Sequence, residues 1–566
     1  MTYKYQLIFL GDINNNACNT IKVRFFDKIH SIGLRDNMFE IIYNETFERK
    51  YSNKQPSFVF YFGNLNHSEK DIDILKVLLD NGDAILPIYF GDNFEAEVPK
   101  IIHVMNGRQY IADHIEKYIN YAFESMRLLR ENRKLFISYR RTDSSAVANQ
   151  LFDAFVRNNY DVFLDTYSIN PAKNFQEELH HRMTDCDVLI QLYTNDFKNS
   201  KWCNEEIISA NQKQIGVVEI IWPDCTPDIH NLLCEPIQLT QKMFMNEDFH
   251  NGSCCITEEC IENIVNAVES VRARNLAARQ DNLVGEFVEE ARKQGRQLIQ
   301  EYRYLVETLK DDIIRLFIPA IGIPQSYDCF DSLRFRKLLD NEKIELFLIY
   351  DDLRIRKKWV EHLEWLNESL EVKTIKKKLN IFLSASIPML GRDERYFKTA
   401  DTIAIRDSVL ALASVALPKY KLIWGGHPSI TPLIASVLQH SGLDIQSSVT
   451  LYQSTYFEQF FPLENESVAH IIKTNDMGDK DLSIEEMRKH MLGDNEFYAG
   501  IFIGGMEGIE NEYAMFTQLH PEAKAFPLAS TGGAAKIIYD KYFDGKEPEL
   551  CINLAYSSLF KDLLNL

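Results

Sequence analysis

Phe136-Ile137-Ser138-Tyr139-Arg140-Arg141 decides the fold of this chain, read together with Trp202-Cys203-Asn204-Glu205-Glu206 a domain's length downstream. The first segment reads as a buried strand that ends in polar and cationic residues. The second opens a helix carrying an aromatic and a carboxylate one turn apart. In an open α/β sheet, such strand ends and the loops beside them form the ligand crevice. A crevice furnished with Tyr, Arg, Trp and Glu suits a nucleotide whose sugar bond is to be cleaved.

Working outward, the unit around this stretch runs from 133 to 265. Strands are expected over 134–139, 161–165, 187–194 and 216–222, and a helix over 146–157 buries Val147, Leu151, Phe152 and Phe155 at helical spacing. Residues 1–128 alternate in the same way, with strands over 5–10, 57–62 and 84–90 and a helix over 70–79. Continuous apolar strands between helices indicate a parallel sheet covered on both faces. The end of this segment, a Leu-Pro-Ile strand and then Asn106-Gly107-Arg108-Gln109-Tyr110, is similar to the end of the unit that follows. A degenerate sibling and an unrelated flavodoxin-like module are both open. Downstream, 266–312 is charged and helical, including Glu286-Phe287-Val288-Glu289-Glu290-Ala291-Arg292-Lys293. It reads as a connector or oligomerisation helix with solvated faces. The rest of 266–377 stays unassigned, with a strand over 344–350 and a helix around Trp359, Leu363 and Trp365.

The last domain, 378–566, carries its own signal. A strand over 380–386 ends in Ser384-Ala385-Ser386, and three others run into Gly425-Gly426-His427-Pro428, Gly504-Gly505-Met506-Glu507-Gly508 and Ser530-Thr531-Gly532-Gly533. Glycine permits positive φ and close backbone approach. Helix N-termini after such turns favour phosphate. Three glycine pairs at strand-to-helix turns point to a pocket for an anionic nucleotide. Arg392, Arg395 and Arg406 read equally as phosphate partners or as surface charges.

Composition bounds the function. A chain of 566 residues is too long for one core, so two to four domains are expected. The net charge of −20, from 62 basic and 82 acidic residues, argues against general nucleic-acid binding. Ten cysteines lack framework spacing and no secretory leader begins at Met1, so a reducing cytoplasm is expected. Cys254, Cys255 and Cys260 lack the spacing of a zinc site, and no metal is expected. The longest apolar run, Val409 to Leu417, is far shorter than the roughly 20 residues of a membrane helix.

The 133–265 unit resembles a TIR (Toll/interleukin-1 receptor) domain. The carriers are Phe136 to Arg141, Val162-Phe163-Leu164-Asp165, the loop Ser168-Ile169-Asn170-Pro171-Ala172-Lys173-Asn174-Phe175, and Ser200-Lys201-Trp202-Cys203 with Glu206. The resemblance implies a flavodoxin-like parallel sheet. Some members of the family only assemble; others cleave NAD⁺ with a glutamate four residues after the tryptophan, which here is Glu206. It implies Glu206 as the catalytic residue, and Tyr139, Arg140, Phe175 and Trp202 as substrate-binding residues. Nicotinamide leaves as a neutral pyridine, so the site needs only a carboxylate beside an oxocarbenium-like ribose. Glu206 as a surface carboxylate and Trp202 as a packing residue are the plainer readings. Asp165 reads as a turn residue, Arg141 as solvent-facing, and His180 and His181 as surface residues.

The 378–566 region resembles the SLOG superfamily, Rossmann-like domains related to the LOG phosphoribohydrolases. Its carriers are Leu383 to Pro388, Gly425 to Pro428, Gly504 to Gly508 with Glu510 and Glu512, and Ser530 to Ala535. The proline and threonine of the LOG signature are missing, which speaks against hydrolase activity. The resemblance implies a sensor that binds a nucleotide-derived signal, such as a cyclic ADP-ribose isomer, at Ser384, Gly425, Gly426, Gly504, Gly505, Gly508, Thr531 and Gly532. The expected whole is an α/β protein: a TIR NAD⁺ hydrolase governed by a SLOG sensor, in bacterial antiphage defence. NAD⁺ is then substrate, and no cofactor is needed. Homo-oligomer or filament formation on activation is expected, with no nucleic-acid or membrane partner. A non-catalytic scaffold and a cyclase making a cyclic ADP-ribose messenger are the alternatives.

Overall fold

The computed structural model describes residues 3–32, 34–65, 70–103, 105, 107–129, 133–140, 142–164, 186–195, 197, 207–208, 210–227, 231–250, 252–280, 284–296, 298–300, 305–308, 314–319, 344–349, 379–441, 448–460 and 471–566. Four sheets carry them. In the first, β1 (Tyr5–Gly11), β2 (Phe39–Tyr43), β3 (Ser57–Phe62), β4 (Ala84–Tyr89) and β5 (Arg108–Gln109) are all parallel, in the order β2-β1-β3-β4-β5. Helices α1 (Asn16–Ser31), α2 (Ile72–Asp80) and α3 (Ile115–Ser125) cover it. The second sheet holds β6 (Lys134–Ser138), β7 (Asp161–Leu164), β8 (Val188–Tyr193), β9 (Gly216–Ile221) and β10 (Glu235–Gln238), in the order β10-β9-β8-β6-β7. It is also parallel and carries α4 (Ser145–Arg157). Numbered within each domain, the two sheets share the order 2-1-3-4-5, which a sibling domain and a flavodoxin-like module both require.

One core runs through both sheets: Tyr5, Phe25 and Phe123 of the first unit are continuous with Leu135, Val147 and Ile190 of the second and with Ile264 and Val268. Those last two lie on α5 (Glu258–Gln280), and here the expectation of a solvated helix from 266 onward fails. The helix starts at 258, where Thr257 Oγ1 caps the Cys260 N–H at 3.3 Å and Glu258 and Glu259 meet the helix dipole. Residues 268–278 are all buried. The charges are there because each has a partner. Glu269 accepts from Arg133 at 2.9 Å and from the Tyr5 and Tyr160 hydroxyls, while Arg272 pairs with Asp187 at 3.0 Å. The sequence displays the charges but not the groups that meet them.

Beyond α5 the chain is not simply helical. After α6 (Glu286–Lys293), strands β11 (Ile299–Gln300), β12 (Leu305–Thr308), β13 (Ile314–Pro319) and β14 (Ile344–Ile349) make a small mixed sheet. The strand expected over 344–350 is therefore present, while the helix expected around Trp359, Leu363 and Trp365 lies outside the described residues. Phe287 of α6 packs on Phe317 of β13.

The last sheet is parallel: β15 (Leu379–Ser386), β16 (Tyr420–Trp424), β17 (Val449–Ser454), β18 (Ile471–Thr474), β19 (Ala499–Gly504) and β20 (Lys524–Leu528), in the order β18-β17-β16-β15-β19-β20. Helices α7 (Thr402–Ala416), α8 (Thr431–Ser441), α9 (Lys480–Gly493), α10 (Glu507–Leu519), α11 (Gly533–Tyr542) and α12 (Tyr556–Leu563) accompany it. Its two faces bury separate cores, one around Ile381, Val409 and Ile501, the other around Phe382, Met491 and Phe516. Arg406 belongs to this interior. It is 2 % exposed, and its guanidinium donates to the Ile215 carbonyl, to Asn275 and to Asp407. It is neither a phosphate partner nor a surface charge. No helix among the described residues is long and apolar enough to cross a membrane.

Candidate functional site

Strand order reverses once in the second sheet and once in the last, the points at which open α/β sheets take their ligands. In the second sheet the reversal falls between β6 and β8. Ser138 is buried at the end of β6, Tyr139 is half-buried against the shared core, and Arg140 is exposed beyond them. The Arg140 carbonyl accepts from Ser144 N at 3.2 Å and Ser144 Oγ at 3.0 Å, which starts α4. Thr194, just past β8, donates to Asp143 at 2.6 Å, and Asn195 donates to Asp224 at 2.5 Å. These bonds tie the loops after β6, β8 and β9 into one rim. Glu206, Trp202 and Phe175 lie outside the described residues, as do Arg141, Asp165, His180 and His181.

The last sheet reverses between β15 and β19. Ser384 of β15 donates to Glu512 of α10 at 2.6 Å, and Arg488 of α9 reaches the other Glu512 oxygen at 3.0 Å and the Gly508 carbonyl at 3.2 Å. Tyr396 donates to Glu510 at 2.5 Å; burial and that bond push its phenol up to about 12, so it stays a neutral donor at pH 7. Arg395 is exposed and pairs with Asp393 at 2.8 Å.

The glycine turns after β19 and β20 meet here, and neighbouring protein crowds both. Gly532 has φ +73°, and a Cβ there would come 1.9 Å from the Thr399 carbonyl oxygen. At Gly505, φ +76°, a Cβ would meet Ile509 at 2.1 Å and Ser386 Oγ at 2.8 Å. Their side chains are missing because neighbouring protein atoms fill the space. The Gly504 N–H is given to Thr531 Oγ1 at 2.9 Å and the Gly533 N–H to Thr399 Oγ1 at 3.1 Å. So the glycines pack the loops, and the polar lining comes from side chains: Ser384, Glu510, Glu512 and Arg488. Carboxylates of this kind suit ribose hydroxyls, and a guanidinium suits phosphate. Gly425 and Gly426 sit at the end of β16, on the other side of β15. Gly508 lies in the first turn of α10, beside Arg488. Arg488 and Thr399 escape sequence reading because neither stands in a glycine-rich turn. Among the described residues no cluster of three or more His, Cys, Asp or Glu side chains is placed to hold a metal.

Two family models match the chain: the TIR domain over residues 135–251 and the SLOG cluster3 family over residues 395–564. The chain is thus a fusion of a TIR domain and a SLOG domain, with a further α/β region before them. It is a TIR-based signalling or defence protein. No curated protein matches it.

Proposed function

We propose that the TIR domain hydrolyses NAD⁺, releasing nicotinamide, when a nucleotide-derived signal of the cyclic ADP-ribose class binds the SLOG cleft, and that self-association accompanies activation. NAD⁺ depletion would then serve bacterial antiphage immunity. The observation that carries this reading is the pairing, on one chain, of two parallel sheets whose strand-order reversals carry polar side chains. One has Tyr139 and Arg140 there, in a domain whose sequence places Glu206 four residues after Trp202. The other has hydroxyl, carboxylate and guanidinium groups. In the first, the Arg140 fork meets the pyrophosphate. Glu206 stabilises positive charge at the ribose as the carbon–nitrogen bond to nicotinamide breaks, and water takes the vacated position.

The test is incubation of the full chain with NAD⁺, with and without cyclic ADP-ribose isomers, followed by product analysis. Glu206→Gln is expected to reduce nicotinamide release by about 10²-fold or more, the scale of one lost electrostatic stabiliser. Glu205→Gln changes the neighbouring position, which the helix expected from the sequence turns about 100° away, and is expected to matter far less. Equal effects of the two would remove Glu206 from its role. A cyclic product would make the enzyme a cyclase, and no NAD⁺ turnover under any condition would make the TIR domain a scaffold.

A further inference from the structure

The loop 387–401, between β15 and α7, stands between two places. On one side it borders the SLOG cleft: Tyr396 bonds Glu510, and Thr399 holds the Gly533 N–H. On the other, Pro388, Leu390, Phe397 and Ala400 line a cavity of about 70 Å³ whose far wall includes Gly216 and Val217 of β9. A cavity needs only about 10–15 Å³ to hold a water, so this one, with Leu390 exposed at its edge, leaves the loop room to move.

The loop ends at Asp401, which is 2 % exposed and meets four parts of the molecule. Its carboxylate caps α7, accepting from Ile403 N at 3.1 Å and Ala404 N at 3.0 Å. The other oxygen takes Arg274 of α5 at 2.7 Å, and Lys54 of the N-terminal domain stands 3.6 Å away. Its own N–H donates to the Thr531 carbonyl at 3.0 Å, while Lys54 also donates to the Ser530 carbonyl. Thr531 in turn holds the Gly504 N–H, at the reversal point of the sheet. Four residues along α7, Ile405 packs against Gly504 and Arg406 bonds the Ile215 carbonyl just before β9. A continuous path thus runs from Gly504 through Thr531 and Asp401 to Arg274. From there α5 lies directly on β8 and β9 of the TIR sheet.

We propose that Asp401 is the coupling residue of this protein. A change in the SLOG cleft shifts the Ser530–Gly533 turn and the loop 387–401 into the adjoining cavity, and the Asp401–Arg274 pair passes that shift to α5 and the TIR sheet. The proposal rests on the reading of the SLOG cleft as the ligand site, and not on the TIR reaction. Coupling is reciprocal, so it can be read from either end without a ligand.

The experiment is amide hydrogen exchange on the full chain. Arg274→Gln, made in α5, is expected to speed exchange about tenfold in peptides covering 504–508 and 529–534 of the SLOG cleft. Peptides from β17 and β18 should not change. Thr531→Val, made in the cleft, is expected to speed exchange across 268–278 of α5. Should Arg274→Gln unfold the whole chain, Arg274→Lys keeps the cation without the fork and carries the same comparison. Effects confined to the domain bearing each substitution would overturn the proposal. Because neither NAD⁺ nor nucleotide enters the measurement, that result is distinct from a failure to cleave NAD⁺.

Discussion

Glu269 has no part in either candidate site, yet it holds three segments together. Burial works against its charge, but Arg133 and Arg272 with two tyrosine hydroxyls outweigh it and hold the carboxyl at about 2, below its ordinary 4.5. The sign follows from which state ionises more readily. The folded value lies below the unfolded one, so the stability it contributes is complete above pH 4.5 and is lost as pH falls toward 2. Glu269→Gln is therefore expected to cost about 3 kcal/mol near pH 7. Urea titrations at a series of pH values should show the gap to the unmodified protein narrowing between pH 4.5 and 2. Asp401 is shifted in the same direction: burial opposes its charge, while Arg274 and Lys54 prevail. If the proposed nucleotide signal binds beside Ser384, the phosphate would be met by Arg488, which now bonds Glu512 and the Gly508 carbonyl. Arg488→Ala is expected to weaken binding of a cyclic ADP-ribose isomer by about tenfold or more, the worth of one charge-assisted bond. Calorimetric titration with the folded variant checks it, and unchanged affinity would move the phosphate elsewhere.

Among the elements, the turn between β20 and α11 and the helix α5 show most clearly how local sequence and packing divide the work. Gly532 combines positive φ with contact to the Thr399 carbonyl, so no side chain fits without moving one loop off the other. Gly532→Ala is expected to destabilise the SLOG domain by about 2 kcal/mol or more, measurable as a fall in its melting temperature. If the variant melts with the parent protein, the turn is looser than described. Gly505 is crowded separately, by Ile509 and Ser386, so a bulky replacement there would disturb Ile509 before any ligand arrived and is a poor probe of ligand binding. Helix α5 makes the complementary point. Its pattern of Glu and Arg is that of an exposed helix, yet over 268–278 its environment is an interior where Glu269, Arg272 and Arg274 each meet an opposite charge.

At the scale of the whole molecule, the N-terminal and TIR domains share one apolar core, whereas the SLOG domain has two further cores, one of which takes in only Leu233 from the TIR domain, and adds polar contacts to the others at Asp401 and Arg406. Shared cores melt together, and polar junctions couple more weakly. Calorimetry of the full chain is expected to resolve two transitions. Glu269→Gln should lower the one that carries the N-terminal and TIR domains and leave the SLOG transition in place. A single transition that moves as a whole would mean that the junction is as strong as a core.

The sequence by itself determined the α/β class, the strand-and-turn grammar of the TIR and SLOG domains and the residues at their strand ends, because these rest on local periodicity and on motifs contiguous in the chain. Ser384, Tyr139, Arg140 and the glycine turns were legible for that reason. Only the tertiary structure decided what the charges of α5 are for, that Arg406 is an interior tether, and that the SLOG glycines make room for protein. It also decided that Arg488 and Glu512 meet Ser384, since that depends on α9 and α10 converging on the end of β15. Partners separated by more than a hundred residues, such as Arg274 and Asp401, leave no trace in local pattern. Their meeting is fixed by the order of strands in the sheets and by the cost of burying a charge without a counter-charge.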